Sequence, residues 1–224
     1  FPNELEIREG RLKQQAELLY RKHEKYWQAV DKNDVALAFG HAADVVVLAA
    51  WRQDAEAFNE EYCRYLQRKH RAGADTPWFA GQIIMIARND YTLEVFNGDI
   101  GLIMPDAESA NGLAAYFPNA DGFKKIAISR LPQFESAFAM TVHKSQGSEY
   151  REVWLLPPSG KIEQGGDDAL SGLNNALLYT AITRARERFV FWGNEEQWRL
   201  AVETRKTRRT ALGDILDAMF VPKA

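Results

Sequence analysis

The spacing of apolar and polar positions divides the chain into three stretches. Over residues 4–30, Leu12, Leu19, Tyr20, Tyr26, Trp27 and Val30 are interleaved with charged residues, so a helix-rich start is expected. A further helical turn is expected at 35–39. Residues 45–50 (VVVLAA) form a continuous apolar run of strand length, as a strand buried on both faces requires. Trp51-Arg52-Gln53 follow, and Phe58, Tyr62, Tyr65 and Leu66 then predict a helix from about 54 to 70.

After a loop at 72–77 the period changes. Short β segments are expected at 83–88, 92–96, 99–104 and 125–131, and Asn97-Gly98 is the strongest local hairpin signal in the chain. Several short strands with tight turns suggest a small β-barrel inserted into a larger domain. Asn89, Asp90, Asn97 and Asp99 are read as turn formers rather than ligand groups.

The third stretch carries the candidate chemistry. A short buried strand at 138–142 runs into the polar turn His143-Lys144-Ser145-Gln146-Gly147-Ser148-Glu149, where Gly147 would let backbone approach a phosphate or sugar. A strand at 152–156, a loop expected to be mobile at 157–172, a helix at 177–186, a strand at 188–192 and a helical tail at 195–219 complete the pattern. The helix buries Leu177, Leu178, Ala181 and Ile182 and ends on Thr183, Arg184 and Arg186. Alternation of buried strands with helices predicts an α/β fold, whose chemistry sits at strand C-termini. There is no internal repeat and no low-complexity tract.

Composition narrows the possibilities modestly. With 46% hydrophobic and 26% charged residues among 224, the chain is of ordinary globular type, and its net charge of −3 gives no global basic signature. A nucleic-acid reading therefore rests on local charge. Eight cations lie between Arg184 and Arg209 (Arg184, Arg186, Arg188, Arg199, Arg205, Lys206, Arg208, Arg209), but 199–209 reads better as a solvated helical face. Cys63 is the only cysteine, which excludes an internal disulfide and a cysteine-based metal cluster and fits a reducing, cytoplasmic compartment. His23, His41 and His70 stand at no ligand spacing, so no metal site is expected. No apolar run reaches membrane-spanning length and the first residues do not resemble a signal peptide. The missing initiator methionine suggests a piece of a longer protein.

Two ordered motifs carry a family resemblance. TVHKSQGSEY (141–150) and LYTAITRAR (178–186) resemble motifs V and VI of superfamily 1 helicases in the RecD, Pif1 and TraA branch. The run GQIIMIARNDYTLEVFNGDIGLI (81–103) resembles the segment that opens the SH3-like insertion of RecD proteins. A buried strand ending in Trp51-Arg52 before a helix resembles motif IV.

The resemblance implies a RecA-like, P-loop NTPase-type C-terminal motor domain with a parallel sheet. Residues 1–78 and 135–224 would form domain 2A, and 79–134 the SH3-like insertion, 2B. It further implies an ATP-driven 5′-to-3′ DNA helicase, the α subunit of exodeoxyribonuclease V, acting with RecB-like and RecC-like subunits in double-strand-break repair. Stand-alone RecD-like or TraA-like helicases, and a non-catalytic RecA-like interaction module, are the alternatives.

Residue by residue, Arg184 matches the arginine finger and Arg52 a second phosphate arginine, a turn-capping surface residue being the other reading of Arg52. Gly147 and Glu149 would face the nucleotide, Glu149 accepting from the ribose hydroxyl. Thr141, His143 and Ser145 would face single-stranded DNA and donate to phosphate oxygens. Arg186 is expected to be structural or DNA-facing, and Tyr179 and Thr180 to orient the arginine. The chain holds no GxxxxGK[ST] and no apolar strand ending in Asp-Glu. ATP and Mg²⁺ are thus expected to be held mainly by the rest of the full-length protein, with no dedicated metal ligands here.

Overall fold

A computed structural model describes residues 1–72, 77–109, 111–159 and 173–205. In chain order the first third contains β1 (Glu4–Ile7), α1 (Leu12–Lys22), α2 (Glu24–Asp31), α3 (Val35–Ala42), β2 (Val45–Ala49) and α4 (Arg52–Arg68). Next come β3 (Gln82–Ile86), β4 (Ile100–Pro105), β5 (Leu113–Asn119), β6 (Gly122–Ala127), β7 (Phe134–Ser136) and β8 (Ala139–Thr141). The described chain closes with β9 (Tyr150–Leu156), α5 (Asn175–Ile182), β10 (Ala185–Phe191) and α6 (Glu195–Glu203).

One sheet is entirely parallel, in the order β1-β10-β9-β2-β8. Its interior strand β2 is buried at every position, and the alternation of side chains divides it between two cores. Val45, Val47 and Ala49 pack with Trp154, Val190 and the helices α1 to α4. Val46 and Leu48 pack with Leu155, Phe189, Phe191 and α5. The sheet is therefore a middle layer with helices on both sides, the arrangement that parallel strands demand.

The second sheet is antiparallel, in the order β6-β5-β4-β3-β7. Ile83, Met85, Leu102 and Met104 turn one face into the helical core. Ile84, Ile86, Ile103, Phe117 and Ile126 form a smaller core on the other face, covered by Leu93 and Val95. The Tyr26 hydroxyl donates to the Gly81 carbonyl at 2.6 Å and ties this sheet to α2.

Several expectations are corrected. Residues 4–7 form an edge strand on β10 rather than the start of a helix, a partnership between residues 184 apart, such as Glu4 with Arg188, that local pattern cannot show. The segment 92–96 contributes only an isolated Asp90–Val95 bridge. Asn97-Gly98 does form a turn, closed by the Asp99 N–H on the Phe96 carbonyl at 2.9 Å, with Gly98 at φ +100°. Asn89, Asp90 and Asp99 accept backbone N–H groups there, as turn formers do. The strand β5 was not expected, and 128–130 is a 3₁₀ turn rather than strand. The second sheet runs on to Ser136, past the expected boundary at 134. The helix expected at 177–186 ends at Ile182, and β10 begins at Ala185. Of the loop expected at 157–172, the part from 160 onward lies outside the described residues, as does the tail beyond Arg205.

The two sheets are stapled where β7 passes into β8. Asn59 of α4 donates to the carbonyls of Ser136 and Ala139, each at 2.9 Å, and accepts the Ala139 N–H at 2.8 Å. Asn59→Leu strands these backbone groups in a dry seam. A loss of about 2–4 kcal/mol is expected in urea unfolding, against under about 1 kcal/mol for Gln67→Leu on the exposed part of the same helix.

His23 links α1 to the sheet. Its Nε2 lies 3.0 Å from the Val45 carbonyl oxygen, which only accepts, so Nε2 carries the proton. Burial pulls the imidazole pKa down to about 4, against the opposing effects of the Val45 carbonyl and Asp44. The unfolded chain, titrating near 6.5, takes up a proton that the fold refuses. Stability is therefore expected to fall as pH drops from about 6.5 toward 4, by on the order of 3 kcal/mol. His23→Gln should flatten that part of the profile in urea titrations at stepped pH.

Candidate nucleotide and nucleic-acid edges

Parallel strands give the sheet two chemically distinct edges. At the C-terminal edge, β2 leads into Trp51 and Arg52, and β8 into His143 and Lys144. At the N-terminal edge, Glu149 enters β9 and Arg184 enters β10. Tyr150 is level with Ala185, and Leu156 with Ala49. The two edges are thus separated by the length of β9, about 20 Å.

The N-terminal edge is built on α5. The Asn174 carboxamide oxygen caps this helix by accepting the Leu177 N–H at 3.0 Å, and Leu177, Leu178 and Ala181 are buried under it. After Ile182 the chain turns sharply, and the Arg184 carbonyl accepts the Tyr150 N–H at 2.8 Å. The Arg184 guanidinium lies back on the end of the polar turn. Its Nη1 donates to the Ser148 carbonyl at 3.1 Å and its Nη2 to the Thr183 hydroxyl at 3.3 Å. Glu149 beside it accepts from Arg186 Nε at 3.0 Å, an exposed pair that adds little stability. Gly147 stands at φ +89° with no atom within 4 Å of where a Cβ would lie. The structure therefore brings Arg184, Gly147 and Glu149 to one edge. Arg186 is corrected from a helical position to strand β10, where it partners Glu149. Tyr179 is exposed on α5, its ring edge-on to Phe1 at 5.9 Å, and the Thr180 carbonyl faces Arg184 Nε at 3.4 Å.

At the C-terminal edge, Arg52 is the first residue of α4 and its side chain is 68% exposed. Its Nε donates to Glu56 at 2.7 Å and its Nη2 to Glu135 at 3.3 Å. Glu56 and then Glu135 raise its pKa further above the usual guanidinium range. Lys144 pairs with the other oxygen of Glu135. Arg52, Glu56, Glu135, Thr141 and Lys144 line a cleft of about 400 Å³ between α4 and β7. His143 is exposed and Thr141 half-buried on this side.

Two expectations fail on this geometry. Arg52 cannot share one phosphate with Arg184, because the sheet's full length lies between them. Ser145 is fully buried and its hydroxyl donates to the Val142 carbonyl at 2.7 Å, closing a 3₁₀ turn at Val142–Ser145 instead of meeting solvent. Sequence reasoning also passed over Glu135 and Lys144. An acid in a three-residue strand looks like any solvated residue, and only the fold brings it to two cations. Among the described residues no three His, Cys, Asp or Glu side chains gather as a metal site, and no helix is long and apolar enough to cross a membrane.

Residues 136–191, which hold both edges of this crossing, match the UvrD-like helicase C-terminal domain family. The RecBCD enzyme subunit RecD of Mycobacterium tuberculosis is 39% identical over 137 residues, covering 61% of this chain and 22% of that protein. RecBCD enzyme subunit RecD of Haemophilus influenzae is 32% identical over 62% of this chain and 19% of its own length. The ATP-dependent RecD2 DNA helicase of Deinococcus radiodurans is 33% identical over 59% of this chain and 17% of its own. A solved Pif1 helicase from Candida albicans aligns with 88% of this chain and 58% of that one, at 14% identity and a TM-score of 0.46. The chain spans about a fifth of the length of the curated relatives it matches.

Residues 136–191 are thus similar to the C-terminal domain of UvrD-like helicases. Over 61–62% of its length the chain is similar to RecBCD enzyme subunits RecD.

The left-handed backbone at Gly147 can be tested directly. Gly147→Ala meets no clash but must hold a conformation that costs an L-residue about 1–2 kcal/mol. A lowered thermal midpoint of matching size is expected, with a larger drop for Gly147→Val.

Proposed function

We propose that this chain is the C-terminal motor domain of an ATP-dependent 5′-to-3′ DNA helicase of the RecD type, serving as the α subunit of a RecBCD-like complex in double-strand-break repair. The observation that carries it is the gathering of Arg184, Gly147 and Glu149 at one sheet edge, joined by one continuous turn to Thr141 and His143 at the other. The relatives named RecBCD enzyme subunit RecD support the choice of family and partners, RecB-like and RecC-like chains. In this reading the antiparallel sheet, which runs on through β7 to Ser136, is the SH3-like insertion 2B, and 1–78 with 137–224 make up the RecA-like 2A. The RecD2 relative favours a second reading, a helicase that works without partner subunits. Co-purification of RecB-like and RecC-like chains with the intact protein separates the two.

The residues present fit one wall of a nucleotide site. Gly147 leaves open space beside its backbone, and Arg184 is half-exposed at the same place. ATP with Mg²⁺, held chiefly by the remainder of the protein, supplies the phosphoanhydride chemistry. Arg184 offers a planar, permanent charge to equatorial phosphate oxygens, where charge accumulates during transfer. Glu149 accepts from a sugar hydroxyl. Thr141 donates to a DNA phosphate from its hydroxyl, and His143 from a ring nitrogen. Arg52 moves, with the geometry, from the phosphate of ATP to the nucleic-acid edge. Ser145 holds the turn in shape.

In the intact helicase, Arg184→Ala should lower kcat for ATP hydrolysis at saturating single-stranded DNA by about a hundredfold or more, with DNA affinity within about twofold. Arg184→Lys should recover little, because an ammonium lacks the two-point fork. Arg186→Ala should be milder. Loss of turnover in Arg186→Ala with turnover kept in Arg184→Ala would overturn this placement of the finger.

A further inference from the structure

We infer that Glu135 occupies the place of a DNA phosphate and competes with the strand for Arg52 and Lys144. This rests on the reading of the C-terminal edge as the nucleic-acid edge. One Glu135 oxygen meets Arg52 Nη2 at 3.3 Å, and the other meets Lys144 Nζ. A carboxylate bridging a guanidinium and an ammonium through two oxygens reproduces the way two such cations clasp one phosphate. The site is open to exchange. The side chains of Glu135 and Lys144 are about 30% exposed and that of Arg52 is 68% exposed, so these pairs are weak and water-screened. They also face the same cleft as Thr141, so a strand tracking Thr141 passes within reach of both cations.

The position of Glu135 gives the exchange a structural consequence. Glu135 sits on β7, paired with Met85 of β3, and so belongs to the antiparallel sheet, whereas Arg52 opens α4 just after β2 and Lys144 lies in the turn just after β8, both strands of the parallel one. The two ion pairs are therefore electrostatic ties between the sheets, parallel to the Asn59 staple. A phosphate that takes both cations unties the sheets on the exposed side only. DNA binding then exchanges internal ion pairs for external ones, with a DNA affinity held below what the cations alone would provide.

The test is equilibrium binding of a fluorescein-labelled oligothymidylate to the intact protein without nucleotide, by anisotropy, over a range of salt. Glu135→Gln should tighten binding about three- to tenfold, with a steeper salt dependence as more cations reach phosphates. Lys144→Ala and Arg52→Ala should each weaken it several-fold, and the gain from Glu135→Gln should vanish once both cations are removed. Glu60→Gln is the control, since this exposed carboxylate lines the same cleft outside the ion-pair network and removes the same charge. It should change affinity less than twofold. Equal gains in Glu135→Gln and Glu60→Gln, or no gain in Glu135→Gln with an unaltered thermal melt, overturn the competition. Failure of the unaltered protein to bind the strand overturns instead the nucleic-acid reading of this edge.

Discussion

Parallel strands can be joined only by a connection that travels from one edge of the sheet back to the other, and between β8 and β9 this chain makes the journey in the eight residues 142–149. A helix of the usual crossover kind does not fit in that length. The chain instead tightens into one 3₁₀ turn, anchored by the buried Ser145 hydroxyl on the Val142 carbonyl, and then swings through the left-handed backbone of Gly147. Everything at either edge depends on this crossing. It sets Thr141 and Lys144 beside α4, and it delivers the Ser148 carbonyl and Glu149 to the arginines of the opposite edge. Because the turn is short and internally bonded, displacement at one end is poorly absorbed along its length. On the proposed function, that stiffness links the DNA side to the nucleotide side.

The second constraint is the seam between the sheets. A chain that leaves a parallel sheet for an antiparallel one and returns must bring both backbones through one place, and unpaired N–H and C=O groups there are costly. Asn59 meets that cost with three bonds from one side chain on α4. The same helix begins at Arg52, so its buried face holds the seam while its first turn faces the cleft. Fold and candidate site are thus mechanically continuous.

Much of this was legible in the sequence where the signal was local. The run at 45–50 announced a strand buried on both faces, and β2 is that strand. The polar turn after 138–142, and Gly147 within it, could be read from residue type alone. What was not legible came from distant partners. Nothing between Ile182 and Ala185 stops a helix by composition, since Thr-Arg-Ala continues the helical pattern. The helix stops because β10 must pair with β9 from Ala185 onward. Likewise β1 is a strand only because β10 offers it an edge. The pairing of Arg52 with Arg184 failed for a related reason, since motif order along a chain does not reveal which sheet edge each motif reaches.

The charge distribution sharpens the picture of the proposed nucleic-acid edge. The chain as a whole carries −3, so long-range attraction to a polyanion is not its source of affinity. At the cleft itself Arg52 and Lys144 are matched by Glu56 and Glu135, leaving no net positive charge among these four. A strand approaching such a surface gains little until a carboxylate is displaced. The gain then appears within a Debye length, at contact, and salt weakens both the internal pairs and their replacements. On the proposed function, a tight static grip would be the wrong property, since a translocating motor must release each phosphate as it takes the next. Cations that already hold an internal partner have somewhere to return to, and this lowers the cost of letting go.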